Sequence, residues 1–219
     1  MATNSNDLEA SVRAEVQAQA DAVLAALHLK PNAYLVGIAG IPGSGKTTLC
    51  RELLRRRPEA VVVPMDGYHL RRSQLDAEGL RFRGAPHTFA ATAFRTDMES
   101  LRRTRAGLFP EFDHAEKEPR PAAIRVTPSA PLVIVEGIYV LMRDWQVEPL
   151  FDLKVFLDCD LDLAVERLTA RHVACGIAAT PEEGRQRALE NDRVNSLAIL
   201  ADGCRERADL RLGTTVSAG

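Results

Sequence analysis

The residues with the clearest chemistry are Gly40-Ile41-Pro42-Gly43-Ser44-Gly45-Lys46-Thr47-Thr48. Glycines let a chain turn successive N–H groups inward as a nest for anions, and a helix that starts there adds partial positive charge. A lysine at Lys46 would reach terminal phosphates, and the Thr47 hydroxyl would sit on Mg²⁺. The pattern G-x-x-x-x-G-K-[ST] carries this meaning only between a strand and a helix. Here the apolar run Tyr34–Ala39 before it reads as a buried strand, and Leu49–Leu54 after it reads as the start of a helix. The alternative, an ordinary glycine-rich turn, does not ask for both flanks, so the chain is expected to bind a nucleoside triphosphate.

Three further sets could act on that ligand. Phosphorylating a hydroxyl needs a carboxylate within hydrogen-bond reach to orient it and take its proton. Asp66, in Asp66-Gly67-Tyr68-His69, stands just beyond a second apolar run, although an Asp before Gly also starts turns. Glu136 ends the run Pro131–Val135, where many such enzymes hold Mg²⁺ through water; a chance edge charge is the alternative, but its place one strand and crossover beyond the loop favours the functional reading. Arg167 and Arg171 stand four apart beside His172, as a clamp for a migrating phosphoryl group or as a solvated helix face. No Asn/Thr-Lys-x-Asp segment surrounds any of the four lysines (30, 46, 117 and 154), which favours ATP over GTP.

These residues need a scaffold to bring them together. Residues from about 7 to 27 read as an amphipathic helix, with Leu8, Val12, Val16, Val23 and Leu27 at helical spacing. Residues 60–66 read as a second strand whose Pro64 suits an end or an edge, because it has no amide to give a ladder. Residues 131–137, 151–158 and 208–212 read as three more strands. Residues 161–174 read as a helix, and Thr180-Pro181-Glu182-Glu183 reads as the capped start of another. Strands alternating with helices predict an α/β fold with a mostly parallel five-stranded sheet covered on both faces. Between Gly67 and about Thr127 the periodicity fades. Phe94–Arg105 suits a helix there, and prolines 110, 119, 121 and 128 punctuate the remainder. This stretch is read as an acceptor-binding insertion within one domain.

Composition narrows the function classes. A chain of 219 residues suits one α/β domain, and a formal net charge of −2 gives no support to nucleic acid or an anionic membrane as partner. The four cysteines have no metal-ligand spacing, as in a reducing compartment. Met1–Asp7 lacks the features of a signal peptide, and no run is long enough for a membrane span. A cytoplasmic protein is expected, whose partners are ATP and a small-molecule substrate. The N-terminal helix serves either as a cover or as an interface, which leaves a homodimer open.

The motifs taken together resemble the phosphoribulokinase/uridine kinase/pantothenate kinase-like P-loop kinases. The residues that carry the resemblance are Gly40–Thr48, Met65–Leu70, Arg83–Phe89, Pro110–His114 and Val135–Gly137, and the likeness runs from about residue 33 to 212. The nearest likeness is to the nucleoside/nucleotide kinase-like subgroup often labelled fructose transport system kinase. The resemblance implies a P-loop NTPase three-layer αβα sandwich, with Mg-ATP on the loop and a γ-phosphoryl group passing to a hydroxyl of a sugar, nucleoside or pantothenate-like acceptor. It implies Asp66 as catalytic base with Lys46, Arg167 and Arg171, Thr47 and Glu136 near the metal, and an acceptor pocket from Tyr68, His69, Arg83, His87, Phe89, Phe112, Asp113, His114 and Glu136. It also implies a lid over about 161–195 that carries the arginines, with Asp192 and Asn195 as a further pair. Ala90 departs from the pattern, which has an acidic residue there. Two rivals stay open: a nucleoside monophosphate kinase, for which Arg81 and Arg83 would grip a phosphate, and an ATP-binding switch without an acceptor.

Overall fold

The computed structural model describes residues 5–214. The reading of Met1–Asn4 as part of a leaderless N-terminus, and the side chain of Leu8, lie outside the described residues. Helix α1 (Ser5–His28) is followed by β1 (Leu35–Gly40), the loop, α2 (Lys46–Arg56) and β2 (Val61–Pro64). The insertion holds the short α3 (Ala77–Arg81), α4 (Ala91–Thr104), β3 (Gly107–Asp113) and β4 (Glu118–Val126). Then come β5 (Val133–Glu136), β6 (Leu153–Cys159), α5 (Leu161–Ala174) and α6 (Pro181–Arg187). A π-helical turn (Ala188–Asp192) leads into α7 (Arg193–Asp202), α8 (Cys204–Arg207) and β7 (Leu210–Thr214).

The main sheet has the order β2-β5-β1-β6-β7, and every pair in it is parallel. Parallel strands need both faces covered, so β1 and β5 are buried at every residue. One face is covered by α1 and α2, through Ala20, Val23 and Leu27 of the first and Leu49, Cys50 and Leu53 of the second. Val12 and Val16 of α1 are only half-buried. The other face is covered by Phe94, Met98 and Leu101 of α4, with Tyr139, Trp145 and Ile199. Pro64 ends β2, which is an edge strand, so its missing amide leaves no gap in the ladder.

The chain leaves β1 and returns in β2 with β5 between them. Such a reversal opens a crevice at the carboxyl ends of the strands. Glu136, which pairs in register with Ile38 and Pro64, stands between the end of β1 and the end of β2.

Two elements differ from the sequence reading. Residues 107–126 are an antiparallel hairpin rather than irregular chain, with its register broken between Phe109 and Glu111 around Pro110. A two-stranded ribbon bonds on one side of each strand only, so it tolerates prolines that a central strand would not. The stretch after Thr180 is also not one helix. Thr180 caps it by accepting from the Glu183 amide at 3.2 Å, while the Glu183 carboxylate accepts from Ala179 at 2.8 Å. Seven residues later the helix widens into the π turn.

Candidate active site

Gly40 closes β1, and the loop turns under α5 before α2 begins at Lys46. Gly43 (φ 80°) and Gly45 (φ 96°) occupy the left-handed region, where a side chain would be strained. Ile41, Pro42 and Ser44 are buried, whereas Thr47 and Thr48 are exposed on the first turn of α2. The Lys46 ammonium is buried and donates to Gly40 O at 2.9 Å and Ile41 O at 3.0 Å, with the Ser44 hydroxyl 3.4 Å away. Burial lowers its pKa to about 8, against the raising effect of the Glu136 and Asp66 carboxylates, and Arg171 lowers it further. A polyphosphate would supply the negative charge that this buried cation is short of.

The Thr47 hydroxyl donates to Glu136 Oε1 at 3.0 Å. Burial holds the Glu136 carboxyl above its ordinary value, and the Asp66 charge adds to this; Lys46 and Thr47 pull the other way. A hydroxyl and a carboxylate converging beside a helix N-terminus fit a hard cation that keeps waters and phosphate oxygens as its other ligands. No group of three or more His, Cys, Asp and Glu side chains that could hold a metal occurs among the described residues.

Asp66 lies on the 3-10 turn Met65–Tyr68 that follows β2. It is half-buried, and its carboxylate makes no hydrogen bond or ion pair among the described residues. Its charge acts on Lys46, Glu136, His69 and Tyr139, so it faces the crevice between loop and insertion. Gly67 is required beside it, because a Cβ there would meet Pro110 O of β3 at 2.3 Å. The tyrosine that follows is a strut: Tyr68 donates to Asp97 of α4 at 2.7 Å and meets Phe94 edge-on.

His69 stacks on Phe89 with ring centroids 3.9 Å apart, and Phe112 tilts against it at 5.0 Å. Burial brings the His69 pKa down to about 4, so the imidazole is neutral at neutral pH. Phe112 also carries the His114 ring at 5.3 Å and the Arg83 guanidinium, likewise 5.3 Å from its centroid. Arg83 spends two donors on backbone carbonyls, those of Lys117 at 2.6 Å and Leu70 at 2.9 Å. Asp113 accepts from the amides of Ala115 and Glu116 at the hairpin tip. His87 is exposed on its own turn.

Over the loop, Arg167 of α5 lies 3.4 Å from Gly43 O, and Arg171 is exposed one turn on. His172 is buried and bonded through Nε2 to Asp192 at 2.7 Å. Asp192 and Asn195 do not bond each other; Asn195 donates to Asn191 at 3.3 Å.

Sequence reasoning missed Tyr139, Asp97, Arg187 and Asn191. The Tyr139 hydroxyl donates to Gly84 O at 2.7 Å and fixes the turn after Arg83 from the sheet side. Its place three residues after Glu136, at the end of a buried strand, was the available signal. The other three meet their partners across 29 to 108 residues, and no local pattern announces such contacts.

A family model described as an AAA domain matches residues 36–188. The Schizosaccharomyces pombe protein named "Putative uridine kinase C227.14" is 35% identical over 177 residues, which are 74% of this chain and 75% of that protein. A uridine kinase of Brevibacillus brevis is 31% identical over 65% of this chain and 67% of its own length. The crystal structure of a "putative fructose transport system kinase" from Silicibacter sp. TM1040 superposes with a TM-score of 0.75 at 31% identity, covering 90% of this chain and 98% of that one. Among the described residues no helix is long and apolar enough to cross a membrane. Loop, sheet order and relatives agree: this chain belongs to the P-loop kinases of the uridine kinase-like family.

Proposed function

We propose that the protein transfers the γ-phosphoryl group of Mg-ATP to a hydroxyl of a small metabolite bound in the insertion. The reading rests on one observation above others. Asp66 is a half-buried carboxylate without a partner of its own, across the crevice from the buried Lys46 and close enough for its charge to act there. Lys46 and the loop amides hold the β- and γ-phosphates, and Asp66 orients the acceptor hydroxyl and takes its proton as the new P–O bond forms and the bond from the γ-phosphorus to the β–γ bridging oxygen breaks, leaving ADP. Thr47 and Glu136 would hold Mg²⁺, and the charge neutralisation it would supply at the phosphate oxygens is Lewis-acid chemistry that the protein side chains there lack. Arg167 and Arg171 reach the phosphates from α5 in a lid spanning about 161–195. Little covalent chemistry is asked of the protein, so positioning and electrostatics supply the rate.

The acceptor pocket has a stacked imidazole and two phenylalanines as its wall, which suits a neutral ring compound, a nucleoside or a sugar. The relatives' names, uridine kinase and fructose transport system kinase, point to the same two classes. An acceptor phosphate is less well served, since Arg83 is committed to carbonyls and Arg81 faces Glu190 at 3.5 Å. An ADP-release screen over nucleosides, sugars, pantothenate and nucleoside monophosphates tests the proposal. A neutral hydroxyl compound should stimulate release, and stimulation by monophosphates alone would refute this acceptor assignment. ATP hydrolysis that no acceptor stimulates and Asp66→Asn leaves unchanged would support a switch protein instead.

A further inference from the structure

The segment Arg81–Gly84 leads into the acceptor wall, yet much of what holds it comes from the far side of the crevice. Arg187, the last residue of α6, donates to Arg81 O and to Arg83 O, each at 3.3 Å. Asn191 of the π turn donates to Arg83 O at 3.1 Å, and Glu190 pairs with Arg81 at 3.5 Å. The next residue, Asp192, points elsewhere: it holds His172, the neighbour of Arg171 on α5. Consecutive side chains leave a helical turn in different directions. One turn can therefore grip two different structures, and this one grips the phosphate-side helix and the acceptor-side segment at once.

The bonds continue beyond Arg83. Gly84 N donates to the Thr88 hydroxyl at 3.0 Å, and Thr88 O accepts from Leu70 N at 2.9 Å. Ala90 N donates to Tyr68 O at 2.8 Å, and His69 bridges Phe89 in antiparallel fashion as well as stacking on it. His69 N returns to Asp66 O at 3.1 Å. An unbroken run of bonds thus joins the helix of Arg167 and Arg171 to the turn of Asp66.

We infer that the π turn Ala188–Asp192 is a positioning element through which nucleotide held by the α5 arginines orders the acceptor segment 82–90 and, with it, Asp66. Single π turns within helices are frequent at functional sites. The inference rests on the proposed nucleotide site. It adds that this site and the acceptor wall are energetically coupled, and that Asn191 and Arg187 carry the coupling without touching either ligand.

Hydrogen exchange of the whole chain, with and without Mg²⁺ and the non-hydrolysable analogue adenylyl imidodiphosphate, tests it. In the wild type the analogue should slow exchange in residues 40–50, and also in 82–90 by about tenfold, within the usual range for coupled sites. In Asn191→Ala the slowing of 40–50 should persist within about twofold, while that of 82–90 falls below about twofold. Arg187→Gln should do the same more weakly, and Asn191→Gln, which keeps the amide donor, should restore part of the effect. The readout is a ratio with and without analogue, so a general loosening of a variant does not mimic the result. If Asn191→Ala does not fold, Arg187→Gln decides. Slowing of 82–90 that is undiminished in the variants, or absent in a wild type whose 40–50 segment is slowed, would overturn the relay alone. No slowing of 40–50 in the wild type would overturn the nucleotide site and the relay with it.

Discussion

Between Gly40 and Thr48 the chemistry lies in consecutive residues, whereas between Gly67 and Thr127 it is assembled from segments that meet only after folding. On the loop side, a buried ammonium, a hydroxyl and the Glu136 carboxylate converge, and burial lowers the pKa of the ammonium, so that an added anion would favour its charged form. On the acceptor side, most polar groups are already engaged: Tyr68 with Asp97, Arg83 with two carbonyls, Asp113 with two amides. The Asp66 carboxylate has no such partner, and neither does the buried Nδ1 of His69. The difference teaches where specificity is decided. A phosphate needs donors and charge, which a local motif provides. In the proposed acceptor site a metabolite ring would need a shaped wall, and the polar side chains around it would serve mainly to hold that wall.

The contrast can be tested by removing one group at a time. Asp66→Asn should lower turnover by about 10²–10⁴-fold, the usual weight of a general base, with ATP affinity held within about threefold. Steady-state rates and calorimetric titration check the two halves, and weakened ATP binding would place Asp66 on the wrong side of the crevice. Lys46→Ala should abolish activity and weaken ATP binding about 100-fold, equal to about 2.7 kcal/mol, while the circular dichroism of the fold persists. Tight binding in that variant would mean that the loop amides alone hold the phosphates.

The loop side should also answer to pH in a particular sense. Lys46 has its pKa lowered from 10.5 to about 8, so between these values the unfolded chain binds more protons than the folded one. Its contribution to stability therefore rises with pH across that window, by linkage. ATP affinity should move the other way, weakening above about pH 8 as the ammonium is lost, with proton uptake on binding. Titrations in two buffers of different ionisation enthalpy measure that uptake, and pH-independent affinity from 7 to 9.5 would contradict it. On the acceptor side, Tyr139→Phe should have the smallest effect. It removes one hydrogen bond to Gly84 O, costs about 1 kcal/mol of stability by denaturant unfolding, and raises the acceptor KM more than it lowers kcat.

Legibility followed the same division. The loop, the five strands of the main sheet and α5 could be read because strand periodicity and G-x-x-x-x-G-K-[ST] are local. Pro64 at an edge and Thr180 as a cap followed from backbone chemistry alone. The hairpin at 107–126 was hidden, because its prolines suppress a strand reading and only the ribbon's free outer sides make them harmless. The π turn was hidden too, since nothing in Ala188–Asp192 distinguishes it from a helix continuing on its 3.6-residue period.

By itself, then, the order of residues determined a phosphate-binding loop, a parallel sheet behind it and the carboxylates at two strand ends. Only the tertiary structure decided that β5 enters between β1 and β2 to bring Glu136 to Thr47, that Tyr68 and Arg83 brace the wall, and that Asn191 and Asp192 reach to opposite sides of one crevice. The reason is physical. Dihedral preferences and hydrophobic period act over a few residues, while a hydrogen bond between residues 108 apart in sequence exists only once the core has packed both segments into reach.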